Sequence, residues 1–328
     1  MKAVLNNLFE YKSLDKKQSK EILMNLAQGQ YNNSQVAAFL TVYLMRSITV
    51  EELEGFRDAM LELCIPLEIE EYDAIDLCGT GGDAKNTFNI STLSSFVVAG
   101  AGQRVAKHGN NGVSSVCGSS NLLAHFGYEF TNDKDKLKKS IEEAGICFLH
   151  APLFHPAMKN VAPIRMELGV KTFFNMLGPI VNPSFPKKQL VGVFSLELAR
   201  LYAYLHQKTD KKFVVLHSLD GYDEVSLTGA FKMISNGHEK ILQPQDLGLN
   251  RWAPEELYGG ETVEESARIF TNILNGEGTK AQKEVVVANA GLAIHCGKGL
   301  SLEDSLAAAR ESLESGKALA TFKKLISN

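Results

Sequence analysis

Between residues 74 and 120 the chain gathers residue types suited to a polyphosphate. The run Ala74-Ile75-Asp76-Leu77-Cys78 has the length and content of a buried strand. It empties into Gly79-Thr80-Gly81-Gly82-Asp83, three glycines in four positions. Glycine accepts φ > 0 and lets a ligand approach the main chain, so successive N–H groups can converge on one anion. Asn89-Ile90-Ser91-Thr92 then reads as a helix start, with amide and hydroxyl caps ahead of the apolar run Leu93 to Ala101. A helix N-terminus adds free N–H groups and partial positive charge. A second strand, Arg104-Val105-Ala106, ends in Lys107-His108-Gly109-Asn110. A serine-rich loop with Ser114-Ser115 and Ser119-Ser120 follows. The turn is not a Walker A loop, because no Gly-Lys-Ser/Thr follows at the required spacing, and it is not GxGxxG. Its weight comes from the capped helix and the lysine strand that follow within one β-α-β unit.

Outside this stretch one further place carries chemistry. Asp223-Glu224 follows the strand-like Val214–Leu216 and a turn at Asp220-Gly221. Adjacent carboxylates in a loop are ordinarily solvated; opposite a diphosphate they supply oxygen ligands to Mg²⁺, which keeps waters and bridges to substrate phosphates. Lys107, at a strand's carboxyl end beside a phosphate nest, reads as a counter-charge to pyrophosphate. Arg165, on spacing alone, is a surface arginine. The histidines at 125, 150, 206, 217, 238 and 295 default to core or surface.

The elements that must position these residues follow from pattern. Residues 1 to 68 read as helical: Asp15 caps a helix through Leu26, Asn33 or Ser34 starts another, and Thr49 with Glu52 forms a capping box. Pro66 to Tyr72, acidic and irregular, is the boundary. Beyond it, strands alternate with helices, at Ser119–Phe126, Asp133–Ala144 (stopped by Gly145), Ile146–Leu149, Leu190–Phe194, Glu197–Lys208 and Phe213–Leu216. Such alternation predicts a parallel sheet with helices on its faces. His155 to Leu168 reads as one helix kinked at Pro163, and three amphipathic helices, near 262–275, 279–297 and 302–315, close the chain. At 328 residues the chain is long enough for two domains. Lys plus Arg number 34 against 38 Asp plus Glu, a formal charge of −4, which argues against nucleic acid or anionic membrane as a bulk partner. The five cysteines (64, 78, 117, 147 and 296) have no CxxC spacing and read as reduced thiols. The N-terminal stretch lacks a signal peptide's apolar core, so the expectation is a cytoplasmic protein.

The ordered set GTGGD, NTFNIST, KHGN, SS and GS resembles the anthranilate phosphoribosyltransferase family. So do His155-Pro156-Ala157-Met158-Lys159, Ala162-Pro163-Ile164-Arg165, Phe174-Asn175-Met176-Leu177-Gly178-Pro179 with Asn182-Pro183, and Gly221-Tyr222-Asp223-Glu224. The resemblance spans nearly the whole chain. It implies an α/β fold of the nucleoside phosphorylase/phosphoribosyltransferase type: a small all-helical N-terminal domain (1–68, joined by a helical segment near 165–182) and a larger α/β domain (73–328) with a mostly parallel central sheet. It implies transfer of a phosphoribosyl group from phosphoribosyl pyrophosphate to the amine of anthranilate, with Mg²⁺, in a homodimer joined through the helical domain.

By the same resemblance, phosphoribosyl pyrophosphate contacts Gly79, Gly82, Asp83, Thr87, Asn89, Ile90, Ser91, Thr92, Lys107, His108, Gly109, Asn110, Ser114, Ser115 and Ser119. Anthranilate contacts Gly79, Asn110, His155, Arg165, Gly178 and Pro179, with Arg165 meeting its carboxylate. Ser91, Asp223 and Glu224 are the metal ligands. No residue is expected to act as an acid or base; Lys107, Asn110 and Arg165 position the substrates. The chain departs from the family at Val116-Cys117, Asn121 and Asn111-Gly112. The alternatives are a pyrimidine nucleoside phosphorylase-like enzyme, which binds one phosphate and does not need the Asp223-Glu224 pair, and a non-catalytic nucleic-acid-binding relative. The latter would show a basic cleft and damaged phosphate motifs, and neither is present.

Overall fold

The computed structural model describes residues 1–112 and 116–327; Ser114 and Ser115 lie outside them. The chain forms two compact units, one of residues 1–66 with 151–183, the other of 67–150 with 184–328. In chain order, α1 (Lys2–Phe9), α2 (Lys16–Ala27), α3 (Asn33–Met45) and α4 (Val50–Leu63) open the first unit. The second begins with β1 (Ile75–Gly79), α5 (Ile90–Gly100), β2 (Val105–Gly109), α6 (Ser119–His125), α7 (Lys134–Ala144) and β3 (Ile146–His150). The chain returns to the first unit for α8 (Ala151–Phe154), α9 (Ala162–Leu168) and α10 (Phe174–Leu177). It completes the second with β4 (Lys188–Gly192), α11 (Leu196–Gln207), β5 (Lys212–Ser218), β6 (Phe231–Ser235), β7 (His238–Leu242), α12 (Val263–Leu274), α13 (Lys280–Lys298), α14 (Leu302–Glu314) and α15 (Lys317–Ser327).

The first unit's helices start where side chains satisfy their free N–H groups. Asp15 and Gln18 cap each other reciprocally at α2, as do Thr49 and Glu52 at α4. Phe39, Tyr43 and Phe56 pack edge to face, and Phe173, from the returning segment, stacks on Phe56 with ring centroids 4.5 Å apart. The return is longer than the expected 165–182, and residues 151–183 do not belong to the α/β domain. Two long-range bonds explain why: the Ile65 N–H donates to Phe154 O at 2.8 Å, and Asn160 Nδ2 donates to Ala27 O at 2.7 Å. The expected helix from His155 to Leu168 is also two pieces, a 3₁₀ turn at Pro156–Asn160 and α9. Pro163 lies in the first turn of α9, where its missing N–H costs no intrahelical bond.

The second unit is built on a seven-stranded sheet of order β3-β2-β1-β4-β5-β6-β7. The first five are parallel, and β6 and β7 extend the sheet antiparallel from β5. From β1 the chain winds outward through β2 and β3, then returns to β1's other side as β4. The order therefore reverses between β1 and β4, where their carboxyl ends open a crevice. Registration there pairs Gly79 with Gly192. Leu77 of β1, Phe96 and Val97 of α5 and Val285 and Leu292 of α13 lie in one hydrophobic core.

Four helices close the chain, not three. The last, α15, buries Ala318, Thr321, Phe322 and Leu325 at helical spacing. Nor is α13 amphipathic: its buried residues include Val285, Val286, Val287 and Ala288 in succession, so it is enclosed on all sides.

Candidate active site

In the second unit Gly79, Gly81, Ser91, Lys107, Asp223 and Glu224 come together at the β1–β4 crevice. The loop after β5 carries Asp223 and Glu224 back over the ends of both strands. A Cβ built on Gly79 would collide with the Asp223 carboxylate, and one on Gly192 with the Asp223 main chain. At Gly192, where the clash is with main chain, only glycine lets this loop close down, and at Gly79 a side chain would displace the Asp223 carboxylate. Gly192 is a residue that the sequence reading missed, although an isolated glycine in the apolar run Leu190-Val191-Gly192-Val193-Phe194 is itself a sign of close backbone approach.

Gly81 and Gly82 have φ of +65° and +80°, the left-handed conformation that shapes the turn. The Gly81 N–H donates to Asp223 Oδ2 at 2.6 Å, and Asp83 lies within hydrogen-bonding reach of the same carboxyl. At the start of α5 the Ser91 N–H donates to Glu224 Oε1 at 3.0 Å. The other oxygen, Glu224 Oε2, is buried with no hydrogen-bond partner among the described residues. Burial, and next the Asp83 charge, push the Asp223 carboxyl up to about 7. Burial, then the charge of Asp223, pushes Glu224 well above the usual carboxylate range. Two buried carboxylates beside each other, one with an oxygen unpaired, are a hard-oxygen donor set that a divalent cation would relieve. Among the described residues no group of three or more His, Cys, Asp or Glu side chains is arranged to hold a metal alone. A cation here would complete its shell with water and substrate oxygens, the habit of Mg²⁺.

Lys107 lies within β2 rather than beyond its end, and it is buried. Its Nζ donates to Leu77 O at 2.6 Å and reaches Ser91 Oγ at 3.5 Å, beneath the glycine turn. Burial lowers its pKa. His108 is buried beside it, and its main-chain N–H donates to Asp76 Oδ1 at 3.2 Å. Asn89 stands at the N-cap of α5, but its side chain does not cap the helix as expected; Nδ2 donates to Cys117 O at 2.8 Å and ties in the 116–118 loop. Ile90 and Thr92 turn their side chains into the protein, so near the crevice they present main chain. Thr87 pairs with Tyr258 in an isolated antiparallel bridge.

Across the loop, a Cβ on Gly109 would meet Ser119 Oγ and the Phe148 ring. Asn110 is exposed, and its carbonyl accepts from Ser120 N at 3.1 Å and Ser119 Oγ at 3.3 Å. Asn121, one of the departures from the family pattern, organises this loop: its Oδ1 accepts from Gly112 N at 2.8 Å and Gly118 N at 3.1 Å. An amide carbonyl serves that double acceptor role as a carboxylate would.

The remaining candidates lie in the first unit. His155 is buried, and its Nε2–H donates to Val181 O at 3.0 Å; burial lowers its pKa to about 4, so the ring is neutral. Arg165 is partly buried on α9. Its Nη2 donates to Asn175 Oδ1 at 3.3 Å, and Cζ lies 5.1 Å from the centroid of the Phe174 ring. Its Nε is buried without a hydrogen-bond partner, and among the described residues no carboxylate pairs with the guanidinium. Burial lowers its pKa. A planar cation with donors to spare has the shape and charge that suit a carboxylate. Gly178 is exposed beside the buried Pro179.

Comparison with known proteins identifies the family. Residues 2–64 match the glycosyl transferase family's helical bundle domain, and residues 71–319 match that family's a/b domain. The chain is 61% identical to anthranilate phosphoribosyltransferase of Christiangramia forsetii, over 99% of this chain and 98% of that one. The crystal structure of the Thermus thermophilus enzyme of that name is 34% identical and superposes with a TM-score of 0.91, covering 98% of each chain. The Saccharomyces cerevisiae enzyme in complex with PRPP and Mg is 26% identical, with a TM-score of 0.90 over 98% of this chain and 96% of that one.

Proposed function

This chain belongs to the anthranilate phosphoribosyltransferases, which serve tryptophan biosynthesis, and we propose how its residues share the reaction. The β1–β4 crevice takes phosphoribosyl pyrophosphate with Mg²⁺, and Arg165 takes the carboxylate of anthranilate. The observation that carries the donor assignment is the buried Asp223–Glu224 pair, with its unpaired Glu224 oxygen, folded over Gly79 and Gly192. Asp223, Glu224 and the Ser91 hydroxyl would hold the metal. When bound, Mg²⁺ would neutralise the charge that develops on the departing pyrophosphate.

The chemistry is a displacement at the anomeric carbon. The amine nitrogen of anthranilate bonds to that carbon while its bond to the pyrophosphate oxygen breaks, the electron pair leaving with pyrophosphate. The amine then loses one proton to solvent. The protein's part is positioning and electrostatic stabilisation. The Gly79–Gly82 turn, Asp83, Thr87, Asn89 and the start of α5 through Ile90 and Thr92 bind the diphosphate. Lys107 supplies a buried positive charge next to Ser91. His108, Gly109, Asn110 and Ser119 line the ribose-phosphate side; Ser114 and Ser115, expected to bind the same substrate, lie outside the described residues. Arg165 aligns the acceptor ring, with His155, Gly178 and Pro179 beside it in the same unit.

Among the described residues no helix is long and apolar enough to cross a membrane, and all five cysteines are free and buried; the enzyme works in the reducing cytoplasm. It assembles as a homodimer through the helical unit, whose exposed Phe9, Tyr11, Leu44 and Met45 supply apolar surface for a partner copy. Light scattering tests the dimer, which a monomer at micromolar concentration would refute. Protein, Mg²⁺, phosphoribosyl pyrophosphate and anthranilate together should consume anthranilate fluorescence and release pyrophosphate. Turnover of a pyrimidine nucleoside with inorganic phosphate, and none of anthranilate, would favour the phosphorylase reading instead.

A further inference from the structure

We infer that Asn289, on the enclosed helix α13, is a positioning residue that clamps the Asp223–Glu224 loop in its metal-binding geometry. An amide in the middle of a 19-residue helix enclosed by apolar neighbours needs partners, because a buried polar group without them is costly. Its partners are specific. Asn289 Oδ1 accepts from the Val225 N–H at 3.0 Å, and Nδ2 donates to Val225 O at 2.9 Å and to Val285 O at 2.8 Å. The side chain thus pairs with both main-chain groups of the residue after Glu224, as a neighbouring strand would. The bond to Val285 O, one turn back on the same helix, fixes the rotamer that does so.

The loop needs such a clamp. Leu227, two residues on, is held at φ +59°, a left-handed conformation that a leucine adopts only when its surroundings enforce it. A cavity of about 10 Å³, room for about one water, borders Glu224 and is lined by Ser91, Ser94, Gly192, Asp223 and Asn289. The packing on that side leaves this small gap. The Gly81 and Ser91 N–H groups hold the carboxylates themselves, and the main chain behind them is held by the bonds of Asn289 and by that of Ser218 Oγ, which donates to Glu224 O at 2.6 Å. Sequence separation hides the relationship, since Asn289 and Val225 are 64 residues apart.

This inference rests on the reading of Asp223–Glu224 as the Mg²⁺ and phosphoribosyl pyrophosphate site, and the experiment separates the two. Calorimetry measures phosphoribosyl pyrophosphate binding across a range of Mg²⁺ concentrations for the wild type, Asn289→Ala, the near-isosteric Asn289→Asp and Ser218→Ala. Val287→Ala, a truncation on the same helix, serves as a matched core control. Outer-shell partners of metal ligands typically govern 10- to 100-fold in metal affinity. The Asn289 variants should therefore need about 10- to 100-fold more Mg²⁺ for half-maximal binding, and Ser218→Ala should shift the requirement in the same direction. The KM for anthranilate at saturating donor and metal should stay within about twofold, while Val287→Ala lowers Tm with the Mg²⁺ requirement unmoved. If Asn289→Asp and Asn289→Ala lower Tm as Val287→Ala does but need no more Mg²⁺ than the wild type, Asn289 is a core residue and the clamp is wrong. Should the Asn289 variants fail to fold, an unshifted Mg²⁺ requirement in Ser218→Ala refutes the clamp by itself. If the wild type binds the donor without regard to Mg²⁺, the donor-site reading falls, and the clamp falls with it.

Discussion

Arg165→Ala tests whether the first unit reads the acceptor. In the structure this guanidinium is half-buried and only partly compensated, by Asn175 and the Phe174 ring. Its one hydrogen bond, to Asn175, is long at 3.3 Å, its Nε is unpaired, and no carboxylate faces it among the described residues. Little native stability hangs on it, so the alanine variant should fold with Tm near the wild type. On the proposed reading anthranilate's carboxylate is the missing partner, and the contact orients the acceptor ring. A charge-assisted, two-pronged contact of this kind contributes about 2–3 kcal/mol, which is about 30- to 150-fold in apparent affinity. The KM for anthranilate should rise by that factor while that for phosphoribosyl pyrophosphate stays within about twofold. Arg165→Lys should recover only part of the loss, because an ammonium cannot make the forked contact and stacks less well on Phe174. Saturation curves for each substrate on the folded variants give the answer. If both KM values rise together, Arg165 is structural or a phosphate ligand; if neither moves, the acceptor assignment fails.

Asp223→Asn with Glu224→Gln should raise the Mg²⁺ needed for activity sharply, and chelation should abolish turnover by the wild type; undiminished activity at low Mg²⁺ would sink the metal assignment. Gly82→Val forces a β-branched residue to φ +80°, and Gly192→Ala drives a methyl into the Asp223 main chain. Both variants should lose donor binding by calorimetry, and intact binding in a folded Gly192→Ala protein would refute the close approach. His155 sets a pH limit on the first unit. Its folded pKa of about 4 lies below the ordinary 6.5, so the unfolded chain binds more protons between those values. Stability is then full above about pH 6.5 and falls as the pH drops toward 4. At about 1.4 kcal/mol per pH unit the loss reaches about 3 kcal/mol. Denaturant melts at pH 7 and pH 4.5 should show His155→Gln losing less stability on acidification than the wild type; equal losses would contradict a buried neutral ring.

Much of the molecule is written in local pattern. The caps at Asp15 and Thr49 and the stop at Gly145 involve partners within a few residues, and each appears where expected. The glycine turn, the Ser91 helix start and the lysine strand are likewise legible, because a β-α-β unit is contiguous in sequence. Even α15 carries its apolar spacing openly. Residue type also announces the charged participants, since Asp223, Glu224, Lys107 and Arg165 are identifiable before their partners are known.

What sequence could not determine is which distant groups meet. Gly81 and Asp223 are 142 residues apart, and nothing local says that one N–H will meet the other's carboxylate. That follows from strand order: β4 lies beside β1, and the loop after β5 folds over the ends of both. The same packing buries Lys107, turns Asn89 away from its own helix toward Cys117, and assigns residues 151–183 to the helical unit. Caps and periodicity act over about one helical turn, so they are readable one window at a time. Burial, and the pKa shifts that follow from it, depend on every element packed around a group. For Asp223 those surroundings come from the far end of the chain as much as from its neighbours, and only the folded sheet brings them together.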